Sequence, residues 1–119
     1  MIYTSYFAAL RRLPSVYVPI AISRFVPQGY NGLRYLPLAP SSSILYDYKR
    51  FNDKEDYVRR FNQEVLGQSN PDTVVNELNE LASGHGPIVL VCYERSDSFC
   101  HRHLVSAWLT SNGYVSREI

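Results

Sequence analysis

The sequence predicts a single α/β domain spanning residues 1–119, built on a mostly parallel sheet flanked by helices. Three observations carry that prediction. Ile88, Val89, Leu90 and Val91 form a continuous apolar run after Gly86-Pro87, which suits a strand covered on both faces. Capped amphipathic segments precede and follow this run, so strands and helices alternate along the chain as in βαβ units. The length of 119 residues suits one core, and no repeat, low-complexity tract or internal linker divides it.

In chain order, Ile2 to Phe7 is rich in β-favouring Ile, Tyr and Thr and reads as the first strand. Ala8 to Leu13 reads as a short helical turn stopped by Pro14. Val16 to Ser23 is the second strand, and Pro19 inside it removes a ladder donor, which predicts an edge or a distortion there. Arg24 follows at once, and Pro27-Gln28-Gly29 opens a loop. Leu33 to Leu38 is a short extended segment closed by Pro40 and serines, and Ile44 to Tyr48 reads as a short strand or loop.

Asn52 to Leu66 is a predicted helix, with Asn52 as N-cap and Glu55 three residues on. Tyr57, Val58, Phe61 and Val65 make its apolar stripe, and Gly67 ends it. Pro71 to Ser83 is a second helix, capped by Asn70, with Pro71 where no amide bond is lost. Val74, Val75, Leu78, Leu81 and Ala82 are its expected core face. Ile88 to Tyr93 is the expected central strand. Asp97 or Ser98 is expected to cap the last helix, whose apolar face is Leu104, Val105, Trp108 and Leu109. Asn112-Gly113 ends that helix, and Val115 to Ile119 reads as a last strand.

Composition narrows the function classes. The formal charge of +1 gives no global field for nucleic acid. Arg11-Arg12, Lys49-Arg50 and Arg59-Arg60 are local basic pairs that read first as solvated surface. No apolar stretch approaches the length of about 20 residues that spans a bilayer. The two cysteines are too few for a disulfide framework. With no signal peptide visible, the expectation is a cytoplasmic protein with reduced thiols.

The candidate chemistry gathers where the strand at 88–94 meets the helix start at 98–102. Open α/β sheets place ligands there, at strand C-termini facing helix N-termini. Cys92, Glu94, Cys100 and His101 are the catalytic candidates. Cys92 reads either as a thiolate nucleophile or as a small buried hydrophobe. A Cys-x5-Arg phosphatase loop is disfavoured, because Ser98 stands where the arginine belongs. Neighbouring residues on a helix diverge by about 100°, so Cys100 and His101 need not pair, whereas His101 faces inward and His103 outward. The spacing Cys-x7-Cys-His-x-His matches no usual zinc pattern, and neither a metal nor another cofactor is expected.

Arg24, Ser98 and Arg102 are the candidate ligand-binding residues, with Tyr6 and Tyr93 as rings on which a base could stack. Glu94 and Arg102 read equally as a shared ligand site or as an internal salt bridge. The expected ligand is small and phosphorylated or nucleotide-like. Nucleic acid finds no support in net charge, no membrane partner is expected, and a homo-oligomer stays open.

Cys92-x-Glu94, then Cys100-His101-Arg102 and an apolar helix, resemble the C-terminal signature of the domain-of-unknown-function 488 family. MIYT at the start is similar to that family's opening strand, and Gly32 to Pro37 to its following short strand. Arg24 stands where the family often has Asp-x-Arg, but Ile22 replaces the Asp. Ser5-Tyr6 replaces the Gly-His that commonly follows the first strand. The resemblance implies an α/β fold, a site at the signature and a bacterial or phage source. It settles no activity. Three functions therefore compete, the first two nearly equal: an enzyme acting on a nucleotide or nucleic-acid-derived substrate, a non-catalytic protein that sequesters a small phosphorylated ligand or blocks a partner protein, and a structural or interaction protein whose signature only holds the fold.

Overall fold

In a computed structural model that describes residues 1–95 and 98–119, the apolar run lies at the centre of the sheet. Among the described residues, β1 (Ile2–Tyr6), β2 (Val18–Ala21), β3 (Leu33–Arg34), β4 (Ile88–Cys92) and β5 (Ser116–Glu118) form one parallel sheet, in the order β3-β2-β4-β1-β5. All of β4 is buried, as a strand with neighbours on both sides and layers on both faces must be. Its register sets Tyr6 beside Cys92 and Ala21 beside Val91.

The helices are α1 (Ser42–Phe51), α2 (Lys54–Glu64), α3 (Pro71–Ala82) and α4 (His101–Ser111). They contribute Ile44, Phe61, Leu78, Val105 and Leu109 to the same core as Ile20, Ile88 and Leu90. The opposite face carries Ala21, Val89 and Val91, covered by Phe7 and Leu10 of a 3-10 segment and by Tyr17, Val26 and Tyr30 from loops. Along the strand order given, the steps β3 to β4 and β4 to β5 run one way and use the helical face. The steps β1 to β2 and β2 to β3 run the other way and use the opposite face. A single handedness of crossover requires this division. The chain thus leaves the adjacent ends of β2 and β4 in opposite directions, and a crevice opens between them.

Four local expectations change. Residues 44–48 are helical: Ser41 caps α1 by accepting a hydrogen bond from the Ile44 amide (3.1 Å), and a cap with Ile44 and Tyr48 at helical spacing outweighs β-favouring composition. Asn52 does not start α2 but ends α1, in the left-handed conformation (φ 53°) that asparagine tolerates. Asp53 is the cap of α2 instead, bonded to the Asp56 amide. β2 is not an edge, because β3 and β4 both pair with it. The Val18 and Ile22 amides donate toward β4, to Pro87 and Val91, so alternation turns the donorless Pro19 nitrogen toward β3, where pairing begins only at Ile20. Leu81 is partly exposed, leaving Val74, Val75, Leu78 and Ala82 as the core face of α3.

Two surface features bear on partners. Arg60 bonds Asp47 (2.7 Å) and Glu64 (3.2 Å), and Arg59 pairs with Asp56, so this basic pair is neutralised within the helical layer. Among the described residues, no helix is long and apolar enough to cross a membrane.

Candidate functional site

The crevice between β2 and β4 is a cavity of about 470 Å³. Ser23, Arg24 and Phe25 line it from the end of β2, and Cys92, Tyr93 and Glu94 from the end of β4. Tyr48 and Tyr57 reach it from α1 and α2, and Ser98, Phe99, Cys100 and His101 from the approach to α4. Its walls are largely aromatic. Tyr48 and Phe99 each meet Tyr57 edge to face, with centroids 5.2 and 4.9 Å from that ring. Burial pushes the Tyr57 phenol well above its ordinary pKa, so it stays protonated.

Arg24 lies at the cavity wall, where its Nε donates to the Pro40 carbonyl (3.1 Å). No carboxylate pairs with it among the described residues, so its positive charge remains available to a ligand anion. The glutamate and tyrosine after β4, Glu94 and Tyr93, are both exposed at the rim.

Cys92, Cys100 and His101 form the floor. Cys92 and Cys100 are joined as a disulfide, which replaces the expectation of two reduced thiols. Cys100 precedes α4 as its N-cap, and α4 packs across β1 and β4, so the helix start returns over the strand end. Spacing along the chain carries no information about such a return. Cys100 has extended backbone (φ −150°), so the helical divergence from His101 does not apply to it. Its sulfur lies 3.8 Å from His101 Nδ1. Ser98 is exposed and is not the N-cap, and Asp97 falls outside the described residues.

His101 is buried and donates from Nε2 to the Ile22 carbonyl at 2.6 Å. A carbonyl can only accept, so Nε2 carries the proton and Nδ1 is the bare nitrogen facing Cys100. Burial holds the His101 pKa down to about 4; the Ile22 bond opposes this, and the Arg102 and His103 charges add to it. His101 is therefore neutral near pH 7. His103, expected on a solvated face, is only half exposed, and its Nε2 is buried without a hydrogen bond among the described residues.

Arg102 does not line the cavity. It is fully buried behind the floor, and its carboxylate partner is Glu118 of β5 rather than Glu94. Nε donates to both Glu118 oxygens (3.1 and 3.3 Å) and one terminal nitrogen donates to Oε2 at 2.9 Å. The other terminal nitrogen donates to the Glu94 backbone carbonyl (2.5 Å) and to Cys92 Sγ (3.2 Å). Tyr6 likewise lies behind the floor, with its ring 5.8 Å from the Arg102 guanidinium and its hydroxyl accepting from Arg12.

Cys92, Cys100 and His101 each offer one ligand atom, and these lie within 4.8 Å of one another. A metal there would need both sulfurs as thiolates, a form that only the reduced protein offers. A guanidinium nitrogen lies on the Cys92 sulfur and an unprotonated imidazole nitrogen beside the Cys100 sulfur.

Sequence reading missed Phe25, Tyr48, Phe99 and Glu118. Tyr57 had been read only as apolar stripe. None of these lies near the signature in the chain except Phe99, and an aromatic residue between a serine and a cysteine carries no marker of a cavity.

A family model described as the active DUF488-N3 subclade matches residues 6–113. No curated protein and no solved structure gives a significant match.

Proposed function

The chain belongs to the DUF488 family, and from that premise we propose that it is a thiol-dependent enzyme acting on a nucleotide or nucleic-acid-derived substrate. The observation that carries the reading is Cys92: its sulfur lies on the cavity floor with a buried guanidinium nitrogen 3.2 Å away. A donor so placed favours the thiolate, which is the attacking form of cysteine. The aromatic walls suit a planar ring, and Arg24 at the wall suits an anionic group such as a phosphate. Reduction of the Cys92–Cys100 disulfide by a thiol or phosphine, with two electrons and two protons, yields two thiols. Cys92, as thiolate with its proton lost to solvent, then attacks the α-phosphorus of a nucleoside triphosphate: an S–P bond forms, the P–O bond to the β-phosphate breaks, and pyrophosphate leaves with that electron pair. The Cys100 thiol lies beside the bare Nδ1 of His101, which can take and return a proton. Glu94 at the rim serves as general acid or base.

The test uses phosphine-reduced protein and the four common ribonucleoside 5′-monophosphates as probes, titrated calorimetrically. At least one should bind, Arg24→Ala should weaken it about tenfold or more, and Cys92→Ser should leave binding intact. Intact mass after incubation with the corresponding nucleoside triphosphate should then reveal a nucleotidyl adduct on wild-type protein that Cys92→Ser lacks. Binding without any Cys92-dependent mass change would favour the non-catalytic sequestering protein. Absence of binding by every probe would remove the nucleotide reading.

A further inference from the structure

We infer that Glu118 and Thr4, from the last and first strands, are positioning residues that set the reactivity of Cys92 through Arg102. This rests on Cys92 being the reacting thiol, and deepens that reading.

Arg102 is fully buried, yet every donor group of its guanidinium is engaged. The side turned toward β5 meets Glu118, and the side turned toward the cavity meets Cys92 Sγ. Glu118 is itself held, because the Thr4 hydroxyl donates to its Oε1 (2.5 Å) and Thr4 has no exposed surface. β5 pairs with β1 so that Thr4 and Glu118 stand side by side. The contacts Thr4–Glu118–Arg102–Cys92 therefore run unbroken from the β1–β5 side of the sheet to the cavity floor.

The charges along this line alternate once Cys92 ionises: carboxylate, guanidinium, thiolate. Glu118 has two opposed effects. It fixes the guanidinium fork so that one nitrogen reaches the sulfur. It also neutralises part of the field that the guanidinium exerts on that sulfur. A thiolate facing a bare guanidinium would ionise more readily but attack more weakly, because nucleophilicity falls with basicity. The carboxylate behind the arginine keeps the sulfur both ionised and reactive.

The two charges therefore have opposite effects on Cys92, and this separates the inference from a purely structural role. The experiment uses phosphine-reduced protein carrying Cys100→Ser, so that no disulfide forms. The rate of Cys92 alkylation by iodoacetamide is followed by peptide mass from about pH 5 to about pH 10, a span that brackets ordinary thiol ionisation. Arg102→Met should move the midpoint up by about one pH unit or more. Glu118→Gln, which retains acceptor capacity for Arg102, should move it down and lower the plateau rate of the fully ionised thiol. Midpoints that move in the same direction, or do not move, would overturn the inference. If Arg102→Met does not fold, the Glu118→Gln midpoint decides alone: a fall supports the inference and no change or a rise refutes it. Failure of Cys92 to react at any pH would instead refute the thiol-enzyme reading, taking this one with it.

Discussion

Acidification should destabilise this protein through His101, and a single substitution isolates that effect. In the native state the imidazole is buried and neutral, with its pKa held down to about 4; in the unfolded chain it returns to the ordinary 6.5. Between these two values the unfolded state binds more protons than the native state. Stability therefore rises with pH through this window, is fully present above 6.5, and is lost as pH falls toward 4. One pH unit is worth about 1.4 kcal/mol for one proton, so the interval from 6.5 to about 4 corresponds to about 3 kcal/mol. His101→Gln keeps an amide donor for the Ile22 carbonyl and removes the titration. Urea denaturation of the oxidised wild type and the variant, at pH 7 and at pH 4, gives four stabilities. Carboxylates protonate in both proteins and cancel in the difference. The wild type should lose about 2–3 kcal/mol more than the variant over that interval. Equal losses would mean that His101 is protonated, or free to become so, in the native state, and the assignment of a bare Nδ1 beside Cys100 would fall with it.

Other perturbations address the scaffold of the site. Arg102→Met should cost about 3 kcal/mol in urea denaturation, near the low end for a broken buried pair because Glu118 is partly solvated; combined with Glu118→Gln the cost should be less than the sum, and strict additivity would deny the coupling. Gly86→Ala should lower the melting midpoint markedly, since the added Cβ would sit 2.0 Å from the Val16 carbonyl oxygen and force the entries to β2 and β4 apart, and an unchanged midpoint would refute that close approach. Ser41→Ala should cost about 1 kcal/mol by removing the cap of α1, and a negligible change would show that the cap does not hold the helix that carries Tyr48 to the cavity. Cys100→Ser should leave one thiol titratable by Ellman's reagent without prior reduction, whereas the oxidised wild type should show none.

The parts of the fold that sequence revealed are those fixed by local pattern. The central strand was readable because β4 is apolar at every position, which only a strand with two covered faces requires. α3 was readable because Asn70-Pro71 marks its start and Val74, Val75 and Leu78 its buried side. α1 was misread because Ile and Tyr favour strands in isolation, while Ser41 decides the matter through one hydrogen bond. Asn52 was misread because a residue between two helices can end one as readily as start the next, and its left-handed backbone settles which.

For the site, sequence alone determined where the chemistry-bearing residues meet the sheet. A strand end followed by a helix start places Cys92, Glu94 and His101 at one edge whatever the rest of the chain does. Tertiary structure decided which groups face one another. The disulfide exists because α4 folds back across β4, bringing together cysteines that the chain separates. Arg102 pairs with Glu118 rather than Glu94 because β5 lies beside β1 at the far side of the sheet. The His101 tautomer depends on a carbonyl of the segment after β2, and the cavity walls on aromatic rings from α1 and α2. Local pattern follows from each residue's own backbone preference and polarity. Pairing across the site follows from strand order and crossover direction, which depend on burial summed over the whole chain and leave no mark at any single position.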